Sequence, residues 1–339
     1  MLPRFLFMLL APAVLMTSPQ PMDTNSVSPA GGLLIVVNQM EHTVLIVDPD
    51  KLSELAKINV GVNGHEVMVS KDGRLAYVPI YGNSGVGRPG TDGTSIDVID
   101  LQDRKLIASI ELGKPLRPHR AEFGPDGLLY VTAELANAVE VIDPSTRKVL
   151  AEIPTGQPES HMLVLSPDGR RAYTANVGAG SVSVLDLQTR RLITTIPVAK
   201  TVQRISISPD GRRIFTHDQD TPRIAVIDTA TNKIAEWIEL PDPAYASEPT
   251  PDGRWLLALC REASRLHVVD LKSMKVARTL EVPKKPSEIL VRSSGEIAYI
   301  SGTGAGKIAI LNLRTWEMQK PIELTPGVDG LAWTSAVQK

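Results

Sequence analysis

Cysteine is nearly missing from this sequence: Cys260 is the only one in 339 residues. The chain can form no internal disulfide, so its stability must come from buried surface. Aromatics make up only 4% of the residues, and no basic stripe interleaves with them, which removes a stacking path for single-stranded nucleic acid. Charge of one sign is lacking too: 36 Lys and Arg oppose 38 Asp and Glu, so there is no broad field to hold a polyanion or an anionic membrane. Among motifs, no C-x-x-C-H exists to anchor a covalent haem, and no G-x-S-x-G supplies a nucleophile elbow. The stretch GVGRPG is followed neither by a helix signal nor by a Lys-Ser/Thr pair, so it does not read as a phosphate loop.

The one strongly apolar run is MLPRFLFMLLAPAVLM at the start, with Arg4 as a positive flank. Its length suits a signal-peptide core and is short for a membrane span. No cysteine follows to act as a lipid acceptor, and residues 17–32 are polar and rich in Pro and Ser. Residues 1–30 are therefore expected to be a signal peptide with its polar lead-in, and the mature chain to be periplasmic or secreted, with no membrane span once the signal is removed. Ser28 and Ala30 fit the small-residue cleavage rule but lie far from the apolar core, and a retained anchor is the alternative.

A repeat governs the rest. The phrases LIVDP, DVIDL, EVIDP, SVLDL, AVIDT, HVVDL and AILNL place Asp48, Asp100, Asp143, Asp186, Asp228, Asp270 and Asn312 at intervals of 52, 43, 43, 42, 42 and 42 residues. Each copy holds four short alternating runs separated by turn signals, such as HRAEFG, LLYVTAE, AVEVID and KVLAEIPT. A four-stranded unit of about 40 to 45 residues is the period of a propeller blade. The first copy begins at a second strand and the last segment, PGVDGLAWTSAV, is a first strand with nothing after it. The expected fold is an all-β, seven-bladed β-propeller of four-stranded antiparallel blades over residues 31–339, one domain, its first blade closed by the C-terminal strand, which also hides a sheet edge.

The strand ending S-P-D-G, the following A-Y-V-T-like strand and the S-V-S-V-L-D-L-x-T run resemble the YVTN-repeat, YncE-like seven-bladed propellers and, more loosely, the lactonase-type propellers. The resemblance covers residues 33–336 and rests on LLYVTAEL, RAYTANVGAGSVSVLDLQT and ELANAVEVIDPST. It implies the fold and says little about activity, because propellers host many functions.

Most repeated carboxylates are expected to serve turns. Asp72, Asp126, Asp168, Asp210 and Asp252 each precede Gly between the first two strands, and the Asp closing each third strand is placed to accept backbone N–H groups. Both turn sets fall on one face of the ring. The strand 2 to 3 loops and the blade-to-blade loops share the other, where binding chemistry is expected. Counting seven back from each hairpin Asp gives His65, His119, His161, Gln203, Tyr245 and Ser287, at the start of successive innermost strands. The resemblance adds Asp329, by alignment of DGLAW with the family pattern. The next positions contribute Glu66, Arg120, Arg204 and Glu288, so the channel mouth is expected to be polar and charged. His42 and His217 are assigned to loops on the same face and His267 to a third strand, while the insertion YGNSGVGRPGTDGTS at 81–95 is placed to fold over the mouth beside His65. Cys260 and the four Trp are assigned to packing.

Three readings follow for the mouth. His65, His119, His161 and Asp329 offer imidazole and carboxylate donors of the kind a divalent transition metal takes, with Zn–N bonds of about 2.0–2.1 Å. The histidines can instead hydrogen-bond backbone between blades, or contact a substrate without metal. The expected function is binding of a small molecule or partner protein, with no nucleic acid, through His65, Glu66, His119, Arg120, His161, Arg204, Tyr245, Glu288 and Asp329. The alternative is a lactonase- or lyase-type enzyme with His119 or His161 as general base and an optional metal polarising a carbonyl.

Overall fold

The computed structural model describes residues 31–86 and 88–335, so the expected signal peptide at 1–30 lies outside the described residues. No helix among the described residues is long and apolar enough to cross a membrane. Seven antiparallel sheets form the ring, and the repeat is what builds them: one sheet per copy, with the strands of blades 2 to 7 in chain order from the axis outward. In blade 1 the innermost strand is the last of the chain, Val328–Ser335, paired to Gly32–Asn38 in the register Gly32↔Ser335 to Asn38↔Val328. The expected closure is thus present. Asn38 reinforces it, its amide donating to Thr325 Oγ1 (3.0 Å) and the Pro326 carbonyl (3.1 Å) while its Oδ1 accepts from the N–H groups of Met40 and Glu41.

Strand alternation distributes the core. Ile35 and Val37 point into the junction of blades 1 and 2 with Val78 and Ile99, whereas Leu34 and Val36 point into the junction of blades 7 and 1 with Tyr299 and Ile310. Every neighbouring pair of blades shares such an aliphatic cluster, the seventh being the one that joins last blade to first. Burying each of these side chains is worth about 1.5–3 kcal/mol, which is how the ring stands without a disulfide. Blade 7 departs from the pattern: its outer strand is split into Glu317–Met318 and Ile322–Glu323 around Pro321, which has no N–H to give to the ladder.

The turn carboxylates behave as capping groups. Asp143 accepts from the N–H of Ser145 (2.8 Å), Asp186 from Thr189 (2.7 Å) and Asp228 from Thr231 (2.7 Å). In the first hairpins, positive φ falls on Gly alone, as at Gly73 (φ 74°), while the Asp accepts the N–H two residues on, as Asp72 does from Arg74 (3.1 Å). One placement changes. His217 is not in a loop but inside the second strand of blade 5, Arg213–Asp218, fully buried, because that strand runs as far as Asp218 before turning.

Candidate functional site

The inner strands converge on the axis and bring the ring positions together. His65 Nδ1 lies 3.1 Å from Asp329 Oδ2, a contact between residues 264 apart that only the closed ring permits. The rings of His65 and His119 are 5.2 Å apart, and those of His119 and His161 are 3.7 Å apart and tilted by 35°. His119 and His161 are almost wholly buried, at 2% and 4% exposure, whereas the His65 side chain keeps 23%. Among the described residues, the ligand atoms of His65, His119, His161 and Asp329 do not gather within 4.8 Å of one another; those of Asp242, Cys260 and His267 do.

Two residues outside the expected set organise the arc. Tyr81, at the end of the second strand of blade 2, packs its ring edge-on against His65 (5.0 Å), His119 (5.2 Å) and His161 (6.3 Å). Its hydroxyl donates to Glu134 Oε2 at 2.9 Å. Glu134 opens the 3-10 turn that follows the second strand of blade 3, is 1% exposed, and also accepts from Arg117 Nη1 (3.4 Å) and pairs through Oε1 with His161 Nδ1. With Nδ1–H given to Glu134, His161 Nε2 accepts from Gln203 Nε2 at 3.1 Å, and Gln203 Oε1 accepts from Gln219 at 3.1 Å. Glu134 sits 15 residues after His119, as Asn176 does after His161, so the signal was a polar residue recurring where the YVTA and YTAN runs end.

Below the imidazoles, one layer further along the channel, the remaining expected residues pair with each other. Arg120 Nη1 donates to Glu66 Oε2 (2.9 Å) and Arg204 Nη2 to Glu66 Oε1 (3.1 Å), while Arg204 Nη1 also binds Glu288. Glu66, Arg120 and Glu288 therefore form a septum across the channel rather than the mouth itself. Arg120 faces the opposite opening with Glu122, Phe123 and Glu248.

The mouth is a cavity of about 510 Å³ lined by His65, His119, His161, Tyr81, Arg204 and Tyr245, together with Gln203, Asn63, and Asn83 to Val86, Arg88 and Pro89 of the insertion. The insertion thus does reach the mouth. It is held there by Asp92, which accepts from Arg117 Nε (3.0 Å) and Nη2 (2.9 Å) and from Ser84. Among the described residues, no Asp or Glu lines the cavity. Burial, then the nearby His161, His65 and Arg204, drive the His119 imidazole well below its ordinary pKa, so it stays neutral. Burial pushes the Asp329 carboxyl up, but the hydrogen bond and charge of His65 and the charge of Arg204 outweigh it and hold the group ionised below its ordinary range. Burial and Glu134 likewise raise the Tyr81 phenol, which remains protonated as a donor.

No curated protein matches the sequence. Among solved structures, the chain is similar to one from Kuenenia stuttgartiensis hydrazine synthase, with a TM-score of 0.73 and 19% identity over 87% of this chain and 99% of that one. It is also similar to dihydro-heme d1 dehydrogenase NirN in complex with DHE (TM-score 0.66, 17% identity, 93% of this chain and 79% of that one) and to a functionally unknown protein from Desulfotomaculum acetoxidans (TM-score 0.75, 14% identity, 90% and 99%). At these identities the likeness is one of fold. Residues 120–246 match the family model described as YNCE-like beta-propeller, and the seven closed blades are those of a seven-bladed β-propeller.

Proposed function

We propose that the mouth cavity binds a small organic anion, carrying a carboxylate or phosphate, without turning it over. The observation that carries this reading is the lining: three histidines and two arginines face a cavity of about 510 Å³, and every nearby carboxylate is turned behind them into a pair of its own. The volume suits a small metabolite. Arg88, exposed on the insertion, supplies donors for the anion, the Nε2 edge of His65 adds one when the ring is an imidazolium paired with Asp329, and Asn63 and Asn83 add amides. The apolar stretch within residues 1–30 supports a working place outside the cytoplasm. Thermal-shift and calorimetric screening at pH 7 with a panel of small carboxylates and phosphates tests the reading. Saturable binding that is lost in His65→Ala and Arg88→Ala supports it; a protein that prefers cations or neutral sugars over every anion overturns it.

A second reading rests on one observation, the Asp329–His65 pair. A carboxylate that orients Nδ1 leaves Nε2 of a half-open imidazole directed at the cavity, the arrangement of a general base. In that reading the base is His65 rather than the expected His119 or His161, because His119 is almost wholly buried and His161 Nε2 is engaged by Gln203. Hydrolysis of a lactone or ester that disappears in His65→Ala and Asp329→Asn, with the melting temperature kept, supports turnover; no hydrolysis of any such compound leaves binding alone.

A further inference from the structure

A second cluster stands apart from the mouth, built from blade 6 and the loop leading into it. Asp242 lies in the connection between the outer strand of blade 5 (Lys233–Glu239) and the inner strand of blade 6 (Ala246–Pro249). Cys260 ends the second strand, Trp255–Cys260, and His267 sits in the third, Arg265–Asp270. The Sγ, the imidazole nitrogen and the carboxylate oxygen all lie within 4.8 Å of one another. Cys260 and His267 are buried, and Asp242, with 22% of its side chain exposed, joins the cluster to solvent.

We propose that Asp242, Cys260 and His267 form a binding site for a divalent transition ion of the zinc class, with the fourth position open to water. Thiolate, imidazole and carboxylate from three separate segments are the donor set that such an ion prefers, and tetrahedral ligation requires ligand separations of roughly 3.3–3.8 Å, within reach of small side-chain movements here. The orientation of the imidazole is already set: Nε2 points at Asp242 Oδ2 (2.9 Å), and Nδ1 points at the hydroxyl of its cross-strand neighbour Thr279 (2.9 Å). That hydroxyl accepts or donates. Without metal it donates to Nδ1 while Nε2–H binds Asp242; with metal it accepts from Nδ1–H and frees the Nε2 lone pair for the ion. Arg265 holds Asp242 at 3.5 Å but also reaches Glu281 (3.4 Å) and is itself 45% exposed, so it has an alternative partner when the ion takes the carboxylate. The Cys260 thiol also accompanies the backbone carbonyl of Asp242 (3.5 Å), which keeps the loop over it.

A ligating thiol must lose its proton, so binding releases one and affinity rises with pH. Removing any ligand should reduce affinity by tenfold or more, and Thr279→Val, a positioning change, by about tenfold. The test is titration of chelator-stripped protein with Co²⁺, followed by the near-ultraviolet thiolate-to-cobalt charge-transfer band. The expected result is a single saturating ion, a band that vanishes in Cys260→Ser, and weakened binding in Asp242→Asn, a loop variant that should fold normally by near-ultraviolet circular dichroism. His65→Ala and His119→Ala should leave the band intact, which separates this site from the mouth. Absence of the band at saturating Co²⁺, or a band that survives Cys260→Ser or is lost in His119→Ala, overturns the proposal.

Discussion

Glu134 of blade 3 and His161 of blade 4 face each other across the blade junction, the carboxylate on the 3-10 turn just after a second strand bonded to the imidazole at the start of the next inner strand. The same carboxylate serves Tyr81 and Arg117, so three residues share one buried anion. Removing it leaves the His161 imidazole and the Tyr81 hydroxyl without that partner in a dry site, while Arg117 keeps Asp92. Glu134→Ala should therefore cost about 3–5 kcal/mol in chemical denaturation, and Glu134→Gln less, because the amide still accepts from Tyr81. Equal losses for the two variants would show that the charge is irrelevant.

Gly330 occupies the place in the ring where other blades carry Glu66, Arg120 or Arg204. Its N–H donates to the His65 carbonyl at 2.9 Å, and a Cβ there would overlap that carbonyl oxygen and come within 2.8 Å of the Glu66 Cα. Both obstacles are backbone, so they cannot swing aside. Gly330→Ala should lower stability by about 3 kcal/mol and displace His65 from Asp329. A native melting curve would mean that the closing strand is held more loosely than described.

His217 is buried with neither ring nitrogen in a well-formed hydrogen bond, only the Arg204 backbone lying near. Burial and the Arg204 charge push its pKa from 6.5 down to about 3. The folded state thus resists a proton that the unfolded chain accepts. The stability tied to this group is present above pH 6.5 and is lost as pH falls from 6.5 towards 3. His217→Leu should flatten that acid limb and stabilise the protein by about 1 kcal/mol at neutral pH, since an unsatisfied polar ring leaves the core. Parallel stability-versus-pH curves for variant and parent would refute this.

Glu248, at the opposite opening, carries the reverse sign. Burial and the charge of Glu288, opposed by Arg120 and helped by Glu122, raise its carboxyl from 4.5 to about 8. Its contribution is full below pH 4.5 and fades as pH climbs through 8. Glu248→Gln, fixed in the neutral form, should melt higher than the parent at pH 8.5 and equal it at pH 4. A variant that loses stability at both pH values would show that the ionised form is the useful one.

The septum makes a further expectation. Glu66 bonds Arg120 and Arg204 at once, with Glu288 completing the group. Glu66→Gln should destabilise by about 3 kcal/mol, and open a path between the two ends of the channel. Hydrogen exchange at the inner strands reports it; unchanged protection there would count against a sealed channel.

Periodicity made the blades readable: a repeat near 42 residues, alternating strands and Asp-Gly turns are local properties of the chain. The phase of the first and last copies showed in the same way that the tail pairs with the head. The ring positions were legible because each lies a constant distance from a recognisable turn. Glu134 and Tyr81 escaped that count because they sit at the other end of a neighbouring strand, in an irregular turn and an insertion that break the period. The same limit applied to His217, whose strand runs one residue beyond it before turning.

The order of residues by itself thus determined seven sheets, their strand directions and which side chains start each inner strand, since these follow from patterns shorter than one blade. Only the closed tertiary structure decided who meets whom on the axis: that Asp329 reaches His65, that Arg204 crosses to Glu66, and that the carboxylates turn away from the mouth. Those contacts join residues more than a hundred positions apart, and their geometry depends on how far each blade rotates its inner strand towards the centre, a quantity set by packing between sheets and written in no local stretch of the chain.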